Sequence, residues 1–136
     1  MRRIREIVKP SRIVEVGTRA VCREEIEYAK DQDIAYVTSL RIMQNGLNRM
    51  VKEINLLLGD FESVYLTVDM DVLDPSFAPA VGNPEPDGLS TRLLLDLLSE
   101  VCSRRIVGFD VVEVTPHYDT GVTSIQAAKI IFEILC

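Results

Sequence analysis

The sequence predicts an α/β fold with a parallel sheet flanked by helices. Four short runs rich in β-branched residues alternate along the chain with segments of helical periodicity, and this alternation is typical of parallel sheets. The last run, residues 106–114, is almost continuously apolar. Such strands are usually buried on both faces, because helices cover both sides of a parallel sheet.

The first half of the chain predicts two strands, a short helix and one long helix. Between Leu40 and Leu58 the apolar residues recur every three or four positions, which indicates a single amphipathic helix with one buried face. Gly59 follows at the position where glycine commonly ends a helix. The other elements predicted in this half are a strand at 13–16, a polar helix at 23–30 and a strand at 34–37.

The second half predicts two more strands and two helices around a long loop. The third strand covers residues 63–68, and a loop rich in proline and glycine covers residues 71–88. Ser90 can cap the next helix, since its hydroxyl can accept from a free backbone N–H. After the fourth strand, Thr123 and Gln126 have the spacing of a capping box that would begin the last helix.

Composition and charge exclude several classes of protein. The chain has 136 residues, 47% hydrophobic and 26% charged, which is ordinary for one globular domain. Its formal net charge of −6 argues against a nucleic-acid partner, because Lys and Arg drive phosphate binding. No apolar run approaches the ~20 residues that cross a bilayer, so we expect a cytoplasmic protein with no membrane partner. Three widely spaced cysteines, Cys22, Cys102 and Cys136, are expected to be packing or surface residues.

Carboxylates gather where the third strand ends. Ligands bind parallel sheets at the carboxyl ends of the strands, and Asp69, Asp71 and Asp74 follow there in the segment VYLTVDMDVLDP. Asp69 and Asp71 are two residues apart and would point to the same side of an extended chain. Such carboxylates repel unless a cation neutralises them, and oxygen ligands favour Mg²⁺, Ca²⁺ or Mn²⁺. The alternative is that they are solvated loop acids, with Asp74 and Pro75 forming a turn.

Three more polar residues lie near the end of the fourth strand. Glu113 would face the same edge of the sheet, although its position alone favours a strand-end acid exposed to water. Asp110 interrupts an apolar strand, and it needs a hydrogen-bond partner if it is buried. His117, the one histidine, lies in a loop and is expected to be exposed, which leaves no imidazole ligand. The carboxylates then form either an all-oxygen site or part of a larger one.

Three segments of the chain resemble the ureohydrolase family, which includes the arginases and agmatinases. The segment TVDMDVLDPSFAPAVGNPEPDGLS (67–90) is similar to that family's strand, D-x-D-x-x-D-P motif and glycine- and proline-rich loop. VEVGTRAVCREE (14–25) and VGFDVVEVTPHYDTGVTSIQAAKI (107–130) look like its flanking segments. The resemblance covers nearly the whole chain, and it implies an arginase-like three-layer α/β/α fold that is incomplete here.

The resemblance also implies a chemistry. It implies a binuclear Mn²⁺ centre whose bridging hydroxide attacks the guanidinium carbon of a small-molecule substrate. By this likeness, Asp69 would bridge the two metals, Asp71 would bind one of them, and Glu113 would hold the guanidinium group. Asp74 would shape the loop instead of binding metal.

Loop sequences point within the family to the agmatinases, which convert agmatine to putrescine and urea. NPEPDGL and EVTPHYD look more like agmatinases than arginases, although guanidinobutyrases share these features. The chain departs from the family pattern at Thr18, Asn83 and Asp87, where Ile or Leu, Thr and Gly are usual. The last two lie in the loop near the substrate, so they bear on specificity more than on metal binding.

The family's upstream ligand motifs, G-G-D-H and D-A-H-x-D, do not occur in the sequence. Residues 1–136 are therefore expected to be the C-terminal portion of a single ureohydrolase catalytic domain, with two metal ligands and a substrate-binding acid but no catalytic residue within this chain. We expect the chain alone to bind Mn²⁺ weakly and to be inactive. An exposed sheet edge and apolar surface would favour self-association, and homo-oligomers are common in the family.

Two other functions remain open at this stage. The chain could be a non-catalytic fragment or pseudoenzyme that serves in oligomerisation or regulation. It could also be an enzyme that holds Mn²⁺ and a nucleotide with a D-x-D motif, as glycosyltransferases do. That second alternative leaves the D-P-x-x-A-P loop and the segment around Glu113 unexplained.

Overall fold

The computed structural model describes residues 2–101 and 106–136. Within these ranges strands and helices alternate, and every strand pair is parallel, which confirms the α/β class predicted from the sequence. Short 3-10 turns occupy Met70–Val72 and Pro116–Tyr118. The helices and strands are α1 (Arg2–Ile7), β1 (Val14–Thr18), α2 (Arg23–Asp31), β2 (Ala35–Thr38), α3 (Ser39–Asn45), α4 (Leu47–Leu58), β3 (Val64–Asp69), α5 (Thr91–Val101), β4 (Ile106–Val112) and α6 (Val122–Leu135).

The strands form two separate two-stranded sheets, β1–β2 and β3–β4, where the sequence predicts one sheet. In the second sheet Thr67 lies opposite Asp110. Among the described residues no strand ladder joins β1 to β3, so each of these strands has one edge without a strand neighbour. Their carboxyl ends still converge, since a methyl group added to Gly17 would lie 2.4 Å from Cγ2 of Val72.

The hydrophobic core lies among the sheets and helices α3 to α6. α4 contacts both α3 and α5, α5 contacts α6, and α3 and α4 pack on β1. Burial of apolar side chains in this core is the main favourable contribution to folding. The buried core side chains are Val37, Ile42, Met50, Val51, Ile54, Val68, Met70, Leu73, Ala78, Val81, Leu89, Leu94, Leu97, Leu98, Val101, Ala127 and Ile130. In the described part of the chain, no helix is long and apolar enough to cross a membrane.

The long helix predicted from Leu40 to Leu58 is divided in two. Gly46 separates α3 from α4 and has φ 77° and ψ 156°, a conformation that only glycine adopts readily. The apolar spacing continues across the break, so periodicity alone does not reveal it. Gly59 ends α4 as predicted, with φ 60°. The sequence did not predict α1.

The last helix begins differently from the prediction of a Thr123–Gln126 capping box. α6 starts at Val122, so Thr123 lies inside the first turn, where it is fully buried. Asp119 accepts instead from the N–H of Gly121 at 2.7 Å and from the N–H of Thr123 at 2.8 Å. The Thr123 hydroxyl donates to Asp119 Oδ2 and accepts from the N–H of Ala80, which ties the helix to the long loop.

The β3–β4 sheet buries one face only. Leu66 and Val111 pack against the core, whereas Tyr65 and Val112 on the opposite face are exposed. None of the residues of β4 is fully buried. The prediction that this strand is covered on both faces is therefore wrong for this chain, because its helices supply a covering layer on one side.

Candidate functional site

Asp69 and Asp71 lie where β3 gives way to the 3-10 turn at Met70–Val72. Asp69 is the last residue of the strand, and Asp71 is the middle residue of the turn. Their proximity was predicted from an extended chain, and that geometry is wrong because the backbone turns directly after Asp69. The two residues are instead linked by a hydrogen bond, in which the N–H of Asp71 donates to Oδ1 of Asp69 at 2.9 Å.

The surroundings of Asp69 disfavour its negative charge. Although the residue is partly exposed, desolvation by neighbouring protein atoms is the main cause that raises the pKa of the Asp69 carboxyl. The charges of Asp71 and Glu113 raise this pKa further, while the N–H of Asp71 and the charge of Arg19 lower it. The charges of Asp71 and Glu113 thus reach the Asp69 carboxyl at the end of β3, and a cation would relieve this repulsion.

One oxygen of Asp71 has no partner. Its Oδ2 accepts from the N–H of Asn83 at 3.2 Å, but Oδ1 is buried and has no hydrogen-bond partner in the described part of the chain. An unpaired buried acceptor costs about 1–3 kcal/mol, and more when it is charged. A divalent cation prefers such oxygen ligands. The carboxylates of Asp69 and Asp71 therefore fit one side of a cation site.

These carboxylates do not make a complete metal site. Across residues 2–101 and 106–136, no group of three or more His, Cys, Asp or Glu side chains is placed to hold a metal ion. His117 is exposed on the 3-10 turn Pro116–Tyr118, as predicted. Any further ligands would have to come from outside the described residues.

Glu113 directs its carboxylate at the long loop from a strained backbone. Its φ of 61° is left-handed, which costs about 1–2 kcal/mol for a residue with a Cβ. This conformation ends β4 at Val112, two residues before the predicted end. A methyl group added to Gly82 would lie 2.5 Å from Oε2 of Glu113, so the carboxylate rests directly on the glycine. Strain of this kind is often found at functional sites.

Asp74 braces the long loop from within. Its Oδ1 accepts from the N–H and hydroxyl of Ser76, and its Oδ2 accepts from the N–H of Gly88 at 3.3 Å. The hydrogen bonds from Ser76 are the main cause that lowers the pKa of the Asp74 carboxyl. A methyl group added to Gly88 would lie 2.3 Å from the Asp74 backbone nitrogen, so the backbone at the two ends of the loop is in contact there. Asp74 thus shapes the loop, in keeping with the role implied by the resemblance.

Arg19 is a site residue to which the sequence reasoning gave no role. It follows β1, and its guanidinium donates to the backbone carbonyls of Asp71, Leu73 and Glu85. The only signal in the sequence was its place in the G-x-R segment. Backbone carbonyls carry no sequence signature, so their convergence around Arg19 became visible only in the fold.

The remaining candidates have structural or surface positions. Asp110 accepts from the Tyr65 hydroxyl at 2.9 Å and from the Thr67 hydroxyl at 2.5 Å, which confirms the predicted hydrogen bonding. The bond to Asp110 is the main cause that raises the pKa of Tyr65. Cys22 and Cys136 are free and exposed, and Cys102 lies outside the described residues.

Comparison with known proteins places this geometry in context. A model described as the arginase family matches residues 1–136. The solved agmatine ureohydrolase of Thermoplasma volcanium superposes with a TM-score of 0.85 and 36% identity, over 98% of this chain and 44% of that one. Proclavaminate amidinohydrolase of Streptomyces clavuligerus is 38% identical, over 96% of this chain and 42% of its own length. Agmatinase of Neisseria meningitidis serogroup C is 37% identical, over 95% and 40%. The chain thus spans less than half the length of these relatives.

Proposed function

The chain belongs to the arginase family, and from this premise we propose that residues 1–136 form the C-terminal portion of one ureohydrolase catalytic domain. Members of this family that the chain resembles are hydrolases, including agmatinases and an amidinohydrolase. The complete protein would hydrolyse the guanidino group of a small molecule and release urea. A cytoplasmic location belongs to the same proposal and rests on composition alone.

The single observation that carries the proposal is the unpaired Oδ1 of Asp71 beside Asp69. A buried carboxylate oxygen without a donor needs a positive charge, and two hard oxygen ligands suit Mn²⁺. Asp69 and Asp71 would hold the cation from one side. When bound, Mn²⁺ would supply an activated hydroxide at neutral pH.

Glu113 would bind the substrate. Its carboxylate rests on Gly82 within reach of the same site, since its charge contributes to the raised pKa of Asp69. A guanidinium group presents two parallel N–H donors, which match a carboxylate in a charge-assisted pair. Holding the guanidinium there would orient its carbon toward the cation held by Asp69 and Asp71.

Agmatine is the substrate we propose. The loop sequences NPEPDGL and EVTPHYD support this choice, as do the agmatinases among the relatives. The similarity to proclavaminate amidinohydrolase favours, as the alternative, another guanidino compound. Asp87 lies in this loop with a left-handed φ of 63°, which suits the glycine usual there, so the substitution preserves the backbone path.

The remaining ligands would come from a further part of the protein or from a partner chain. In the described part, β1 and β3 each have an edge without a strand neighbour, and added strands would pair those edges. Alone, the chain would be inactive or nearly so, and a non-catalytic role for it is the second candidate. The incomplete ligand set among the described residues favours that candidate for the isolated chain.

Mn²⁺ binding and urea release together test this function. Bound Mn²⁺ loses its six-line solution spectrum in electron paramagnetic resonance, so a titration gives the affinity. We expect the wild-type chain to bind Mn²⁺ weakly and Asp71→Asn to lose at least about tenfold in affinity, because Asn cannot supply charge to the ion. Asp60→Asn, an exposed acid that belongs to none of the proposed site groups, is the matched control.

The activity assay uses agmatine, with arginine in parallel, and added Mn²⁺. No urea release by the chain alone is expected. Turnover that disappears in Asp69→Ala would contradict the need for further ligands. Mn²⁺ binding that is absent in the wild type, or equal in Asp71→Asn and the wild type, would contradict the proposed metal site.

A further inference from the structure

We propose that Arg19 is a positioning residue, which fixes the Asp71 carboxylate and the loop segment 82–85 in the one arrangement that admits cation and substrate. The inference deepens the proposed function and rests on it. It assigns to Arg19 no direct contact with cation or substrate.

Arg19 sits at the meeting point of two segments that are far away in sequence. Its Nη2 donates to the carbonyl of Asp71 at 2.5 Å and to that of Leu73 at 3.3 Å. The carbonyl of Glu85 accepts from Nε at 3.1 Å and from Nη2 at 2.9 Å. The first two carbonyls belong to the turn after β3, and the third to the proline-rich loop. One guanidinium therefore joins the acidic turn to the loop.

These carbonyls need a donor from elsewhere in the protein. In the described part of the chain, no backbone N–H outside the regular helices and strands donates to the carbonyls of Asp71, Leu73 or Glu85, so these acceptors depend on a side-chain donor. Arginine suits the task because its planar fork presents five N–H donors in fixed directions. Lysine carries the same charge, but it is a point donor on a flexible stem, and it is not equivalent at such a site.

The consequence is that Asp71 is held both at its backbone and at one oxygen of its side chain. Its backbone carbonyl is bound by Arg19, and its Oδ2 accepts from the N–H of Asn83 in the same loop. With both contacts made, Oδ1 is the oxygen left unpaired and buried. If Arg19 released the turn and the loop, the Asn83 contact would loosen and Asp71 would gain other rotamers.

The same anchor reaches the residue proposed to bind substrate. Glu85 is bound by Arg19, Asn83 by Asp71, and Gly82 lies against the Glu113 carboxylate. The segment 82–85 is thus held at three positions, Gly82, Asn83 and Glu85. The guanidinium of Arg19 donates to backbone carbonyls, so the contacts by which it positions the site are those with the acidic turn and this segment.

The test compares Arg19→Lys and Arg19→Gln with the wild-type chain. Arg5→Lys is the matched control, since Arg5 also donates to a backbone carbonyl, that of Pro10, in α1 and its following turn. Two quantities are measured: amide hydrogen exchange, with the Asn83 amide as the reporter, and Mn²⁺ affinity by electron paramagnetic resonance. Exchange of the β1–β2 amides reports whether the remainder of the fold is intact.

In Arg19→Lys we expect the Asn83 amide to exchange about tenfold faster, with β1–β2 protection unchanged. Mn²⁺ affinity is expected to fall about 10–100-fold, as when residues that orient metal ligands are replaced. Arg19→Gln, which lacks the charge and most of the donors, should lose at least as much, and Arg5→Lys should lose nothing.

A fall in overall stability with unchanged Asn83 exchange and unchanged Mn²⁺ affinity would overturn the proposal, because it would make Arg19 merely structural. Equal loss in Arg5→Lys would overturn it as well. If the wild-type chain binds no Mn²⁺, the proposed function fails, and the exchange result then decides the positioning of Asp71 on its own. Faster exchange at Asn83 supports that positioning, and unchanged exchange refutes it.

Discussion

The carboxylate of Glu113 lies against Gly82, and each of the two residues has a feature that is unfavourable for stability. Glu113 adopts a left-handed backbone, and Gly82 leaves no room for a side chain beneath the Glu113 carboxylate. Both features cost stability, since the left-handed region is unfavourable for glutamate and glycine loses the most freedom on folding. Such a combination persists where the surroundings impose it, which is typical of binding sites.

This strain predicts a stability difference between two variants that both lose the carboxylate. Glu113→Gly removes the left-handed penalty, whereas Glu113→Ala keeps it. We expect Glu113→Gly to have a free energy of unfolding up to about 1 kcal/mol higher than Glu113→Ala, because glycine's larger unfolded-state entropy offsets part of the gain. Urea denaturation of the two variants measures the difference. An alanine variant as stable as the glycine variant would show that Glu113 is not strained.

Among the elements, α6 depends on a single acid at its start. The N–H of Thr123 is the main cause that lowers the pKa of Asp119, and the Thr123 hydroxyl and the N–H of Gly121 lower it further. Together with the N–H of Val122, these donors favour the charged form of Asp119 in the folded protein. The same carboxylate orients Thr123, whose hydroxyl accepts from Ala80 and so connects the helix to the site loop.

The pH dependence of stability tests this role of Asp119. The folded pKa lies below the unfolded value of about 3.9, so the unfolded state binds more protons between the two. The stabilisation is fully present above the unfolded pKa and is lost as pH falls through the folded one. The stability advantage of wild type over Asp119→Asn should therefore be constant above about pH 5 and shrink below about pH 4. Chemical denaturation at several pH values, with Asp60→Asn as the control, measures it; a pH-independent difference would contradict it.

Local sequence patterns predicted the helices well where residues close together in the sequence determine their ends. The polar helix predicted at 23–30 appears as α2, Gly59 ends α4, and Ser90 caps α5 by accepting from the N–H of Leu93 at 3.2 Å. The predicted start of α6 was wrong because the Thr123–Gln126 spacing matches a capping box, whereas Asp119 accepts from the N–H groups of Gly121 and Thr123. The contact of Thr123 with Ala80, far away in sequence, is part of what decides between the two caps.

The candidate site likewise has some features that the sequence predicts and others that only the structure reveals. The acids were predicted because carboxylates at the end of a parallel strand are a sequence feature, and the charge of Glu113 does raise the pKa of Asp69. The unpaired oxygen of Asp71 and the carbonyls around Arg19 depend on the path of a loop. No residue type in the sequence encodes that path, so these features required the structure.

At the scale of the whole molecule, the described part of the chain exposes apolar side chains on its last helix. Ile125, Phe132 and Leu135 lie seven and three residues apart on α6, which puts them on one helical face. All three are largely exposed, at 69%, 58% and 69%. The β3–β4 sheet adds Tyr65 and Val107 on its own surface. Exposed apolar faces such as that of α6 often mark an interface.

We therefore expect the chain to form homo-oligomers through this face of α6. Phe132→Glu should weaken association at least about tenfold, since a charge buried in an interface costs well over 1.4 kcal/mol. Its free energy of unfolding should change by no more than about 0.5 kcal/mol, because Phe132 is exposed in the single chain. Sedimentation velocity over a concentration series measures association. Leu56→Glu is the matched control, because Leu56 is 80% exposed on α4 and lies outside the α6 face. A wild-type chain that stays monomeric at all concentrations would refute self-association, and equal weakening by Leu56→Glu would refute its assignment to α6.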